Sequence, residues 1–530
     1  MRQAVLLAVI LLALLVHPAY AQHGHEAAPS HQQDTDAPIP LFQTALGTFA
    51  RPISSLNTET QAYFNQGFRL MYAFDKKDAR RSFIEAEKRD PDCAICYWGE
   101  AWSLGSFLNG SMQAAESPRA FAAIQKARKT TRASAVERAM IDAMSVRYVE
   151  HFDPSKQREH DIAYAEEMRK VHERFPKDLD VATLYGEALF LLEPRRGYRD
   201  IHSPNVQKIL AVFESVLKVD SQHIGTCHLY IHLTEATTEP GRAEACANTI
   251  GNAIPGASHI NHMPSHTWNQ LGRWGDSVRA NIQAWHSDQQ AAVGEAFAIY
   301  PSHNLQMLLF AASMDGQGAI AIQAAKDYAK LTGSSMYRIL TLIRFGRFNE
   351  VLEFTQRPNQ NSEAAVWDFG QGYAKLRTGQ QAPVREHLHR LLDAADQSSG
   401  MFRFNSAHNV LGVLGGILEG EVQRSNANLD QAIASFTRAV TFEDAMIYDE
   451  PEALPFSARH WLGAALLEAK RYSEAENVYR EELKKHPHNG WSLFGLKASL
   501  DAQHKPSQDV SQDLDASWAR SDTWLHGSAF

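Results

Sequence analysis

Gly67-Phe-Arg-Leu70-Met-Tyr-Ala-Phe-Asp-Lys-Lys-Asp-Ala79-Arg-Arg-Ser-Phe83-Ile-Glu-Ala86-Glu-Lys-Arg-Asp-Pro91 reads as two helices and the turn that joins them. Small residues at Gly67, Ala79 and Ala86 let two antiparallel helices approach closely, and the Phe83 ring plugs the gap between them. Pro91 opens the next pair, at a position where a missing N–H has no helical partner to lose. The pattern returns near the other end of the chain. Gly463, Leu466, Ala475, Tyr479 and Pro487 keep the same offsets, and Trp491 and Gly495 start a further helix in the same phase. Weaker copies lie between, on Pro176 and Gly186 and on Ala432, Phe436 and Ala439. Gly272, Gly316, Gly346 and Gly379 stand where the first helix of a pair hands over to the second.

These offsets match the tetratricopeptide repeat, and the chain resembles that superfamily over most of residues 56–505. The resemblance implies an all-α fold, a tetratricopeptide-like solenoid of helical hairpins. No single hairpin buries its apolar face alone, so the pairs stack into one superhelix of roughly ten with a concave surface. More narrowly, Asp90-Pro-Asp-Cys93-x-x-Cys96-Tyr-Trp-Gly99, His262-Met-Pro-Ser-His266 and Tyr448-Asp-Glu-Pro451 resemble stretches of large exported bacterial repeat proteins. That resemblance brings no activity with it.

The 530 residues are 44% hydrophobic and 21% charged, enough for a large core and against wholesale disorder. A net charge of −9, with no basic stripe, argues against nucleic acid as the partner. Arg2, the apolar run Ala4–Val16 and Ala19-Tyr20-Ala21 read as a signal peptide over 1–21, cleaved after Ala21. The expected location is therefore periplasmic or secreted. No stretch of the mature chain is apolar and long enough to span a bilayer. A flexible tail with His23, His25 and His31 is expected over 22–45, the solenoid over 46–505 and a capping or tail segment over 506–530. An exported chain permits disulfides among Cys93, Cys96, Cys227 and Cys246, without fixing the pairing. Cys93-Ala-Ile-Cys96 has redox-motif spacing, but Tyr97 in place of His rules out ordinary c-type haem attachment, and a structural role is favoured.

The residues that bear chemistry concentrate between Thr226 and His266. His228 and His232 are four apart with Glu235 three further on, so all three share one helix face. His262 and His266 are also four apart, with His259 three before, although Pro264 can open a helix and leave His259 and His262 in a loop. In the register that the resemblance implies, both sets face the concave groove from two neighbouring first helices. His303 adds a ligand from the next repeat and Glu187 a carboxylate from the preceding one. Imidazole and carboxylate suit a divalent transition metal, zinc, copper or iron. The metal candidates are His228, His232, His259, His262, His266, His303 and Glu235. The ring nitrogens of His228, His232, His262 and His266 are expected to converge within roughly 6 Å of one common point. Glu235 and Glu187 are also the candidates for a general base, should the ion keep an open position.

Trp98, Trp102, Tyr300, Asp449, Glu450 and His460 are candidates to line the groove for a peptide, protein or small-molecule ligand, with core packing the competing reading for the tryptophans. Several motifs are excluded. His-x3-His-x2-Glu is not the zinc-protease signature, because Leu229 stands where the catalytic glutamate belongs. Gly316-Gln-Gly318 has no preceding strand and marks a repeat turn rather than a dinucleotide site. The leading expectation is an exported metal-binding solenoid, with enzymatic activity undecided. The alternatives are a metal-free periplasmic scaffold and a metal chaperone or store.

Overall fold

The computed structural model describes residues 37–530, so the expected signal segment and the tail histidines lie outside the described residues. The architecture is a right-through succession of helical hairpins from Thr58–Tyr72 and Lys76–Arg89 to Tyr472–Lys485 and Gly490–Ala502. The described strands are two-residue pieces, Met401–Phe402 paired with Asn405–Ser406. The small-residue and aromatic positions meet as the spacing requires. A Cβ on Gly67 would strike the Phe83 ring at 2.8 Å and one on Gly99 would strike it at 2.5 Å, so a single ring is clamped between two successive first helices. Tyr479 is held the same way between Gly463 and Gly495, and Phe213 fills the space over Gly186. This packing defines the tetratricopeptide-like solenoid at both ends of the chain.

Six of the hairpins share one regular turn. Three residues link the two helices and the middle one is left-handed, with φ near +70° at Gly272, Gly316 and Gly346. Phe74, Ala427 and Lys470 occupy the same position with φ of 63°, 60° and 58°. A side chain in this conformation costs about 1–2 kcal/mol, a cost that glycine avoids.

Three features differ from the expected open superhelix. First, the tail predicted over 22–45 is packed in its last residues: Phe42 lies against Phe297 with ring centroids 4.7 Å apart, and Gly256 N–H donates to the Ala45 carbonyl. Arg51 continues this strap and pairs with Asp178 and Asp180.

Second, the solenoid closes on itself. Trp274 Nε1 donates to the Pro487 carbonyl at 2.9 Å, and Trp491 Nε1 donates to the Ser313 carbonyl at 2.9 Å. Arg195 of the first half pairs with Glu450 of the second at 2.6 Å. Two hydrophobic cores result, one built from residues 39–299 and the other from 274–500.

Third, the inner surface of the second half is filled by the chain itself. Helix Gln508–Trp518 packs on helix Gly490–Ala502, and the segment beyond it turns inward. Ser528 Oγ donates to the His460 carbonyl at 2.6 Å and Tyr373 hydroxyl bonds the Phe530 oxygen. Among the described residues no helix is long and apolar enough to cross a membrane.

Both cysteine pairs are bridged, Cys93 to Cys96 and Cys227 to Cys246. The second bridge ties helix Ile224–Thr234 to helix Glu244–Ile250, and so anchors the helix that carries His228 and His232.

Candidate metal centre

The histidines gather at the seam between the two halves. His228 and His232 project from helix Ile224–Thr234, and Glu235 caps its C-terminus. His259 and His262 stand in the short helix Ser258–His262, not in a loop, and His266 follows in helix Pro264–Gln270. Pro264 thus bends a helical run rather than opening it after a coil, because its ring lacks only the N–H that a first-turn residue does not use. His303 comes from helix Pro301–Met314. All six rings are at most 4% exposed, so they lie in the interior and not on an accessible groove.

Four of the six rings are oriented from behind. His228 Nδ1 donates to the Tyr72 carbonyl at 2.6 Å. Glu235 receives His232 Nδ1 on Oε1 at 2.8 Å and His266 Nδ1 on Oε2 at 2.5 Å. Asn281 Nδ2 donates to the Ser277 carbonyl, which leaves its Oδ1 to accept His262 Nδ1 at 3.3 Å. Acceptors behind Nδ1 fix the tautomer and leave the Nε2 lone pair pointing forward, the arrangement that metal-ligating histidines adopt. The forward nitrogens then face one another. His266 Nε2 lies 2.9 Å from His262 Nε2, and His228 Nε2 lies 3.1 Å from His259 Nε2. His232 Nε2 and His259 Nδ1 are buried with no hydrogen-bond partner.

Burial holds His228, His259 and His262 well below the usual imidazole range, and neighbouring histidines add to the effect. For His232 burial is joined by Arg195. His266 is displaced upward, since Glu235 outweighs the cost of burying its charge. Four rings are therefore neutral donors at neutral pH, the form that binds a metal.

The donor atoms of neighbouring rings lie close to one another. They fall into adjoining sets: His228, His232 and His259; His262, His266 and His303; and His232, Glu235, His266 and Glu450. Within each set the atoms lie within 4.8 Å of one another. The tetrahedral spacing implied by ~2.05 Å bonds is about 3.3 Å, so small movements suffice for coordination.

Glu235 differs from its expected role. Both its oxygens are engaged by Nδ1 protons and by the Tyr448 hydroxyl, which donates to Oε2 at 2.8 Å, so it stands behind the rings as an anchor. Glu450, expected only to line the groove, is instead buried within reach of His232 and His266. Arg195 and Arg196 keep it ionised against the cost of burial.

Other sequence candidates lie elsewhere. Glu187 belongs to no converging set. Burial pushes its carboxyl up to about 7, against the pull of Arg147 and the Trp102 indole, which donates to it. Trp98 and Trp102 are core residues, packed on Phe68 with centroids 6.4 and 5.1 Å away, and do not line a groove. Asp449 is buried against Arg403. His460 sits 3.6 Å from Glu482 in the second half, too far along the solenoid to join the cluster. Tyr300 does reach it, with its ring edge-on to His259 at 5.1 Å.

Sequence reasoning missed the supporting residues. Phe74 lies over His228 at 4.1 Å, from a turn position that glycine fills in other hairpins. Tyr448 was visible within a singled-out motif, but without a role. It also lines a cavity of about 190 Å³ with Tyr198, Glu452, Lys485 and His486, so it touches both that cavity and the anchor of the histidines.

No known family model matches the sequence, and no curated protein matches it. Among solved structures, the chain is similar to the APC/C hetero-tetramer Cut9-Hcn1, at 13% identity and a TM-score of 0.30, over 88% of this chain and 75% of that one. Human IFIT1, solved as a dimer with m7Gppp-AAAA, is 11% identical with a TM-score of 0.30, over 88% of this chain and 90% of that one. Yeast Tom70 is 11% identical with a TM-score of 0.28, over 87% of this chain and 91% of that one. Similarity at this level adds nothing about function, and the solenoid architecture stands on the glycine–aromatic packing described above.

Proposed function

We propose that this chain is an exported metal-binding protein whose solenoid closes around a histidine centre for a divalent transition metal, zinc, copper or iron. The observation that carries the reading is the His262–His266 pair. Asn281 and Glu235 accept both Nδ1 protons, so the two Nε2 atoms face each other at 2.9 Å, where either a proton on His266 or a metal ion satisfies them. His303 and His232, with ring centroids 4.7 Å from His262 and 5.0 Å from His266, enlarge the donor set. Such an ion, held by imidazoles with an open position, would serve as a Lewis acid or a redox centre. Export is supported by the N-terminal apolar run and by two disulfides, which persist in oxidising compartments.

Elemental analysis of the purified chain tests this directly. The unaltered protein is expected to hold stoichiometric transition metal, and the His232→Ala/His262→Ala double variant to lose it while keeping its helix content. Less than about a tenth of an equivalent after reconstitution, against binding constants typical of histidine sites, would end the metal reading.

A further inference from the structure

We propose that the centre takes two ions, one held by His228, His232 and His259 and the other by His262, His266 and His303. This rests on the metal reading above and extends it to the number and relation of the ions.

Each triad is complete in itself, with donor atoms within 4.8 Å of one another. Each also contains its own pair of facing Nε2 atoms, His228 with His259 at 3.1 Å and His262 with His266 at 2.9 Å. The first triad also holds a buried nitrogen with no hydrogen-bond partner, His232 Nε2, which takes no part in the His262–His266 contact of the second. The triads are nevertheless neighbours. His232 and His266 approach across the boundary with centroids 5.0 Å apart, and His259 and His262 at 5.1 Å. One five-residue helix supplies a ligand to each side, His259 to one triad and His262 to the other.

The carboxylates follow the same division. Glu235 anchors His232 of one triad through Oε1 and His266 of the other through Oε2. Glu450 lies within 4.8 Å of donor atoms from those same two histidines. Glu235 thus stands behind both ions and offsets part of their repulsion, while Glu450 stands beside the boundary and screens them from Arg195 and Arg196. Three imidazoles leave each ion one ligand short of a tetrahedral shell. With every ring buried, the ligand class that fits the remaining positions is a water-sized oxygen donor.

Copper is a suitable probe, because neighbouring Cu(II) spins couple and isolated ones do not. The purified full chain, reconstituted with Cu(II), is expected to bind two equivalents and to give an integrated paramagnetic resonance signal well below its copper content. His303→Gln and His259→Gln each remove a ligand from one triad. Each is expected to fall to one equivalent and to recover a signal that matches its copper. One equivalent in the unaltered chain, or two with full signal intensity, overturns the paired centre and leaves a mononuclear one standing. Retention of two coupled equivalents in both variants overturns the assignment of the triads. No copper in a chain whose circular dichroism is native overturns the metal reading as well.

Discussion

Tyr448 and Glu235 are 213 residues apart in sequence and joined by a buried hydrogen bond, the phenol hydroxyl donating to Oε2 at 2.8 Å. Glu235 in turn orients His232 and His266, so a loop of the second half steadies ligands of the first. Tyr448→Phe keeps the ring and deletes the donor. Hydrogen bonds to charged groups contribute about 1.5–3 kcal/mol, and a loss of that size is expected in chemical denaturation of the metal-free chain. Unchanged stability would show that the contact carries no weight.

Glu235→Gln preserves shape but places an amide where two Nδ1 protons need an acceptor. Outer-shell changes of this type weaken metal binding by about 10–100-fold. Chelator competition should find a drop in that range with all six histidines intact. An unaltered affinity would remove Glu235 from the site.

The Phe83 ring, clamped between Gly67 and Gly99, is the test of the repeat packing. Phe83→Ala leaves a cavity shared by two hairpins, and a loss of about 3–5 kcal/mol is expected. Denaturant unfolding checks it, and a loss below about 1 kcal/mol would contradict the packing described.

Lys470 is exposed and left-handed at the position where other hairpins use glycine. Lys470→Gly removes the steric cost at the expense of a more flexible unfolded chain. The net expectation is a gain of about 0.5–1 kcal/mol, read as a raised melting temperature.

His486 gives the second half a pH dependence. Burial opposes its charge, but hydrogen bonds to Glu452 and Glu482 raise its pKa to about 10. The neighbouring His460 is pushed down to about 3 by burial and by Arg344, so His486 is the charged partner of Glu482 at neutral pH. The unfolded imidazole titrates near 6.5, so this stabilisation is complete below about pH 6.5 and is lost as pH rises through about 10. Native protein should lose on the order of a few kcal/mol across that window, and His486→Gln distinctly less. Parallel stability curves for the two would refute the pairing.

The hairpins were legible because their rules are local. Gly67 and Phe83 are sixteen residues apart and lie in one hairpin, and the turn glycines from Gly272 to Gly379 answer a constraint set within three residues. The i, i+4 histidine pairs were legible for the same reason, since a helix fixes which residues share a face. Local rules left Trp98 and Trp102 undecided between groove and core and put Glu187 in the groove, because a groove-facing register position becomes core once the groove is filled.

Sequence by itself therefore determined the helical hairpins, their stacking, and five histidines on two inner faces with His303 on the next. Only the tertiary structure decided that those faces are buried, that they divide into two triads, and that Glu450, Tyr448 and Arg195 complete the surroundings. The physical reason is that closure of a solenoid is the sum of small rotations at every hairpin interface. No single stretch encodes that sum, yet it brings Glu450 to Arg195 across 255 residues and seals the histidines from water.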